Sequence, residues 1–260
     1  MKLYYMPGAC SLSPHIALLE LGLDHSLDKV DRGTKKTETG LDFLSINPKG
    51  YVPALEVEPG QVLTEGVAIL QYLASKKGGF AVFPEFGSLD YFRAVEWLVF
   101  ISSEIYEGFM RVLPGPNPAA LEKLQKRLAF LGEHLTDRAF LGGEAFSLAD
   151  GYLFTILRWS DLAKIDLAPF GGLLAYRDRV GARPSAQAAI KAEGPSFHSR
   201  RRGRRRSARR AVPGRDGSAR LPPAGRRRDR TCLGANQQGR FCPACTCPAG
   251  RQAGFPVLAP

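Results

Sequence analysis

Up to residue 75 the apolar residues come in short runs broken by Pro-Gly and Asn-Pro signals. Beyond Pro84 they recur only at helical spacing. This change of period constrains the fold more than any other feature. A repeat of two marks a strand with one buried face, and a repeat of about 3.6 marks an amphipathic helix. One part of the chain must therefore contain a small sheet, and the next must be built from helices alone.

Residues 2–5 read as a strand and residues 13–21 as a helix ended near Gly22. Residues 25–30 have strand character, and residues 37–45 read as a helix followed by the turn Asn47-Pro48-Lys49-Gly50. Residues 54–57 and 61–63 are short strands joined by Glu58-Pro59-Gly60, a hairpin signal. Thr64 is placed to cap a helix over residues 64–73. This βαβ unit, helix, hairpin and final helix form an α/β layer in residues 1–80. Lys76-Lys77-Gly78-Gly79 and Pro84 mark a linker. Residues 87–195 then form an all-helical domain, with long helices expected over 92–109, 119–135 and 147–162 and a short one over 185–191. The third opens on Ser147-Leu148-Ala149-Asp150, a capping-box pattern with Asp in the place of Glu, and is the most apolar of the set. No internal repeat is visible.

Charge separates a third segment. From Ser196 to Pro260 there are 16 Arg, no Lys and two acids, a net charge of +14 in a chain whose total is +11. Residues 1–195 hold 20 basic and 23 acidic residues, the balance of an ordinary soluble protein. The last 65 residues lack periodicity and large apolar side chains, so they are expected to be disordered. Out-of-frame translation of a GC-rich gene accounts for the lack of Lys and the Arg, Pro, Gly and Ala bias. The alternatives are nucleic-acid binding through runs such as Arg200-Arg201-Arg202, and zinc held by Cys232, Cys242, Cys245 and Cys247. The zinc spacing is poor, because Cys247 follows Cys245 too closely and His198 is the nearest tail histidine. No leader precedes the first strand, no apolar run is long enough to span a bilayer, and a single cysteine in residues 1–195 fits a reducing cytoplasm.

Cys10 is the only cysteine in the first 231 residues and follows a Pro-Gly turn at what reads as the first turn of a helix. A helix N-terminus favours the thiolate, the nucleophilic form; the alternative is a buried thiol acting as a small hydrophobe. Val52-Pro53 precedes the third strand. A cis bond there turns the Val52 backbone outward to pair with a peptide-like ligand, and a trans proline at a strand start is the alternative. Thr64-Glu65-Gly66 opens a helix whose N–H groups suit a carboxylate while Glu65 suits an ammonium; otherwise Glu65 is a first-turn acid. Lys35 is either a ligand contact or a solvated charge. Together these residues suit a small zwitterionic thiol peptide.

Here the chain resembles the bacterial, cysteine-containing beta-class glutathione transferases. The matches are Tyr5-Met6-Pro7-Gly8-Ala9-Cys10-Ser11-Leu12, Asn47-Pro48-Lys49-Gly50-Tyr51-Val52-Pro53-Ala54-Leu55 and Leu63-Thr64-Glu65-Gly66-Val67-Ala68-Ile69. Glu96-Trp97-Leu98, Ser147-Leu148-Ala149-Asp150 and Phe154-Thr155-Ile156-Leu157-Arg158-Trp159 follow in the helical part. The resemblance runs in order to about residue 194, where such proteins end. It implies a thioredoxin-like domain, an all-α domain and a cytoplasmic homodimer. It also implies glutathione as co-substrate, bound through Cys10, Lys35, Val52, Pro53, Glu65, Gly66, Ser103, Glu104 and Tyr106, with no other cofactor, no metal and no membrane partner. Cys10 and Tyr106 are the expected catalytic pair, and a hydrophobic electrophile is the second substrate. Two positions depart from the pattern: Tyr106 stands where the family commonly has His, and Val99 where it often has Asn. A phenol can donate a hydrogen bond to a thiolate but is no base near neutral pH. Tyr5, before the turn, is expected to be structural. The alternatives to conjugation are glutathione-dependent disulfide exchange or peroxide reduction through Cys10, and a binding protein without turnover. Ser13 in the second position of the C-x-x-C pattern excludes a dithiol mechanism there.

Overall fold

Leu3, Tyr4 and Tyr5 are all buried, so the strand that carries them must be covered on both faces. A computed structural model, which describes residues 1–76 and 82–195, shows how. Strand β1 (Lys2–Tyr5) lies inside a four-stranded sheet of order β2-β1-β3-β4, with β2 (Ser26–Lys29) parallel to it. Strands β3 (Ala54–Glu58) and β4 (Gln61–Thr64) form an antiparallel hairpin on its other side, turning at Pro59-Gly60 where Gly60 has φ +76°. Leu3 and Tyr5 point into the main core with residues of α1 (Leu12–Glu20) and α3 (Gly66–Ala74). Tyr4 points the other way, onto Phe43, Val30, Val52 and Ala54. This is the thioredoxin-like layer.

The helix expected over residues 37–45 is confined to α2 (Phe43–Ile46). Residues 37–42 instead form a bridged loop, with Val30 pairing Thr37 and Lys36 pairing Asp42. The cause is local polar competition: Thr39 Oγ1 donates to the buried Asp28 carboxylate at 2.6 Å, Thr37 Oγ1 accepts from Leu41 N–H, and Gly40 takes φ +91°.

The helical layer begins with α4 (Leu89–Phe100), whose cap Ser88 accepts from Tyr91 N–H. The long helix expected over 92–109 is interrupted by a π-helical segment, Ile101–Tyr106, before α5 (Glu107–Val112). Such segments re-aim side chains within a helix and recur at functional sites. Helix α6 (Pro118–His134) has Asn117 as its cap and Pro at its first turn. Helix α7 (Leu148–Leu157) is buried along all ten residues, as its sequence requires. It stops five residues earlier than expected, and α8 (Ser160–Ala163) and the left-handed Lys164 turn the chain away. Helix α9 (Leu173–Gly181) was not legible as a helix in the sequence, and α10 (Pro184–Glu193) closes the described chain. Helix α1 packs against both α7 and α10, so the two layers share one core. The expected linker at 77–79 and the whole segment 196–260, with its basic and zinc readings, lie outside the described residues.

Candidate active site

Cys10 lies in the loop between β1 and α1. Gly8 supplies the turn, with φ +76°, and Ser11 Oγ bonds both the N–H and the carbonyl of Met6, at 3.2 and 3.3 Å. The helical layer holds this loop from behind. Trp159 Nε1 donates to Gly8 O at 2.9 Å, Gly8 N–H donates to Glu193 Oε2 at 3.3 Å, and Glu193 Oε1 meets His15 Nδ1 at 3.1 Å. His15 and Glu193 are both buried.

The Cys10 thiol donates to the Val52 carbonyl at 3.3 Å. The Val52–Pro53 peptide is cis. Of the two readings of Cys10, the contact with the Val52 carbonyl fits the protonated thiol. Burial pushes the Cys10 thiol up to about 12, against the pull of the Cys10 and Ser11 N–H groups. Cys10 precedes the cap residue Ser11 rather than standing inside the first turn of α1, so the helix end gives too little to offset desolvation. At neutral pH this cysteine is a hydrogen-bond donor.

Across from it, Glu65 and not Thr64 is the residue preceding α3. Glu65 has φ +68° and its own carboxylate does not cap the helix. Its Oε1 accepts from Lys49 Nζ at 2.6 Å and from Tyr51 Oη at 2.8 Å, and Lys49 also donates to Thr64 Oγ1 at 2.9 Å. These donors hold the Glu65 carboxyl below the usual range. Tyr106, at the end of the π-helical segment, packs against Trp159 with tilted rings 5.5 Å apart between centroids. Burial, followed by the nearby Cys10, pushes its phenol up to about 12, so it too is a neutral donor.

A thioredoxin-like layer, a cis proline, a thiol before α1 and a helical wall are thus joined in one site. Residues 1–75 match the glutathione S-transferase N-terminal domain, and residues 117–184 match the C-terminal domain. A glutathione S-transferase of Escherichia coli O157:H7, GstA, is 40% identical over 199 residues, covering 75% of this chain and 99% of that protein. The chain belongs to the glutathione S-transferase family. Among solved structures, a ternary complex of the bacterial transferase BphK is 45% identical, with TM-score 0.72, over 75% of this chain and 100% of the other. The beta-class transferase of Sphingomonas chungbukensis is 44% identical, with TM-score 0.71, over 75% and 99%. A sphingomonad transferase complexed with glutathione is also 44% identical, with TM-score 0.71, over 75% and 100%. The chain is a glutathione transferase of the bacterial beta class.

In this transferase Lys35 is half-buried and not a freely solvated charge. It has φ +56°, and its Nζ donates to Gly50 O at 2.7 Å, propping the loop that carries Lys49, Tyr51 and Val52. Gly66 begins α3 beside Pro53. Ser103 is exposed, and Glu104 pairs with Lys123 at 3.2 Å and Arg127 at 2.9 Å on α6. Among the described residues neither makes a hydrogen bond or ion pair with the Cys10–Glu65 cluster. Sequence reasoning did not assign Lys49, Tyr51, Trp159 or Glu193 to the site. Lys49 and Tyr51 could have been found from their place in the turn before Val52. Trp159 and Glu193 lie about 150 and 185 residues from the loop they hold, and no local signal marks them. Among the described residues no group of three or more His, Cys, Asp or Glu is placed to hold a metal, and no helix is long and apolar enough to cross a membrane.

Proposed function

We propose that this transferase binds glutathione between Cys10, Val52 and Glu65-Gly66 and conjugates its sulfur to hydrophobic electrophiles. The carrying observation is the convergence of three complementary groups. These are a thiol donor at Cys10, a cis peptide at Val52-Pro53 and a carboxylate at Glu65 beside the N–H groups that open α3. The glutathione backbone pairs with Val52 beside Pro53, and its γ-glutamyl ammonium meets Glu65. Lys35 acts by holding the loop, and Ser103, Glu104 and Tyr106 border the site from the helical layer. The neutral Cys10 thiol, its hydrogen turned from the Val52 carbonyl, and the Tyr106 phenol donate hydrogen bonds to the glutathione sulfur and favour its thiolate. That thiolate, its proton released to water, attacks an electrophile lodged beside the half-buried Tyr106, forming the carbon–sulfur bond as the leaving group departs. Residues 1–80 form the glutathione-binding domain and residues 87–195 the domain with the electrophile pocket. The enzyme works in the cytoplasm as a homodimer, and the exposed Phe86, Leu89 and Phe92 at the start of α4 support the dimer.

The test is the initial rate of glutathione conjugation to an activated aryl halide by the purified chain. A saturable rate above the uncatalysed background is expected. No rate from a folded protein that binds glutathione would overturn the conjugation reading. Cys10→Ser separates the roles of the thiol: conjugation survives in part, whereas covalent disulfide exchange through Cys10 would vanish.

A further inference from the structure

The function above leaves Lys49 without a task. Its ammonium lies 2.6 Å from Glu65 Oε1 and 2.9 Å from Thr64 Oγ1, and Tyr51 Oη donates to the same Oε1. Both donors converge on one oxygen, so Glu65 Oε2 has no partner among the described residues. The Lys49 and Glu65 side chains are 47% and 54% exposed, so a ligand can reach them. An ammonium has three N–H donors and the two bonds above use two of them. The first N–H groups of α3, immediately beyond Glu65, have no intrahelical acceptors.

Two unused demands therefore stand side by side. Glu65 Oε2 wants a cationic donor. The third Lys49 N–H and the start of α3 want an anion. One carbon bearing both an ammonium and a carboxylate satisfies both. A bare Glu65 would accept any amine. With Lys49 beside it, an amine lacking its carboxylate would enter next to an ammonium and repel it. We propose that Lys49 is a specificity-determining residue that makes this end of the site select a free α-amino acid group, by taking the α-carboxylate of the γ-glutamyl residue. This rests on the reading that glutathione occupies the site.

The test is binding of three peptides to the full chain by calorimetry. They are glutathione, γ-aminobutyryl-cysteinyl-glycine, which lacks the α-carboxylate, and glutaryl-cysteinyl-glycine, which lacks the ammonium. The native chain is expected to bind each deletion analogue about tenfold or more weakly than glutathione, the range of a charge-assisted hydrogen bond. In Lys49→Met the penalty for the missing carboxylate should fall below about threefold, while the penalty for the missing ammonium persists through Glu65. Lys49→Arg should restore the carboxylate penalty. An undiminished carboxylate penalty in Lys49→Met would overturn the proposal. So would a loss of the ammonium penalty alone, which would make Lys49 merely a support for Glu65. Failure of the native chain to bind glutathione would overturn the reading of the site itself.

Discussion

Glu193, the last residue of the last described helix, accepts a hydrogen bond from the N–H of Gly8, two residues before Cys10. Its other oxygen meets His15 on α1 at 3.1 Å. A buried carboxylate some 185 residues away along the chain therefore holds the loop that presents the thiol. Glu193→Ala leaves both partners without an acceptor, and each such loss costs about 1–3 kcal/mol. The expected result is a fall of roughly 2 kcal/mol or more in unfolding free energy, read from the urea midpoint, with about a tenfold drop in kcat/KM from misplacement of Cys10. Equal loss in Glu193→Gln would show that the charge, and not the hydrogen bonds, matters.

Asp150 joins the cap of α7 to the rest of the helical layer. Its carboxylate accepts from Ser147 N–H and Oγ, both at 2.7 Å, from Leu141 N–H at 2.8 Å and from Tyr176 Oη at 2.9 Å. Asp150→Ala removes a cap and strands several buried donors. It should destabilise the protein by about 2–4 kcal/mol in denaturant unfolding. Asp150→Asn, which keeps an acceptor oxygen, should lose less.

Cys10 should behave as a slow thiol. With its pKa pushed up to about 12 by burial, the thiolate fraction rises tenfold per pH unit throughout the neutral and mildly alkaline range. Alkylation of the Cys10 peptide by iodoacetamide, followed by mass spectrometry in the absence of glutathione, should accelerate from pH 7 to pH 10 without levelling. A plateau below pH 9 would mean that the helix end overcomes burial.

Stability should fall on the alkaline side. Cys10, Tyr4 and Tyr106 are each pushed up to about 12 in the folded chain, from ordinary values of 9.0 for the thiol and 10.0 for the phenols. Between those limits the unfolded chain has released protons that the folded chain still holds, so raising the pH favours unfolding. The decline should begin near pH 9 with Cys10 and steepen near pH 10 with the tyrosines, leaving pH 6–8 unaffected by these groups. Thermal midpoints measured from pH 7 to pH 11 check this, and Cys10→Ser should delay the onset.

Gly132 is required by space. A Cβ there would lie 2.0 Å from the carbonyl oxygen of Phe170, which is backbone and cannot swing aside. Gly132→Ala should therefore separate α6 from the turn before α9. The expected outcome is loss of soluble, cooperatively unfolding protein, whereas Gly142→Ala, whose Cβ meets nothing within 4 Å, should be tolerated.

What the chain declares locally, it declares well. The strand of residues 2–5, the hairpin turn at Pro59-Gly60, the cap pattern Ser147–Asp150 and the amphipathic helix after Pro118 all follow from period, turn chemistry and capping within a few residues. The motif around Cys10 and the Val52-Pro53 step were visible for the same reason. The state of Cys10 was not. A helix end and burial shift a thiol in opposite directions, and burial is set by the surrounding fold and not by the local sequence. The loop at 37–42 was misread because Asp28, on another strand, offers Thr39 a better partner than a helix would. Lys49 beside Glu65, and Glu193 beneath Gly8, are likewise decided by how distant segments meet. Periodicity and turn residues report interactions within one stretch of chain, whereas charge pairing, desolvation and hydrogen bonds across elements arise only when the fold brings separate stretches together.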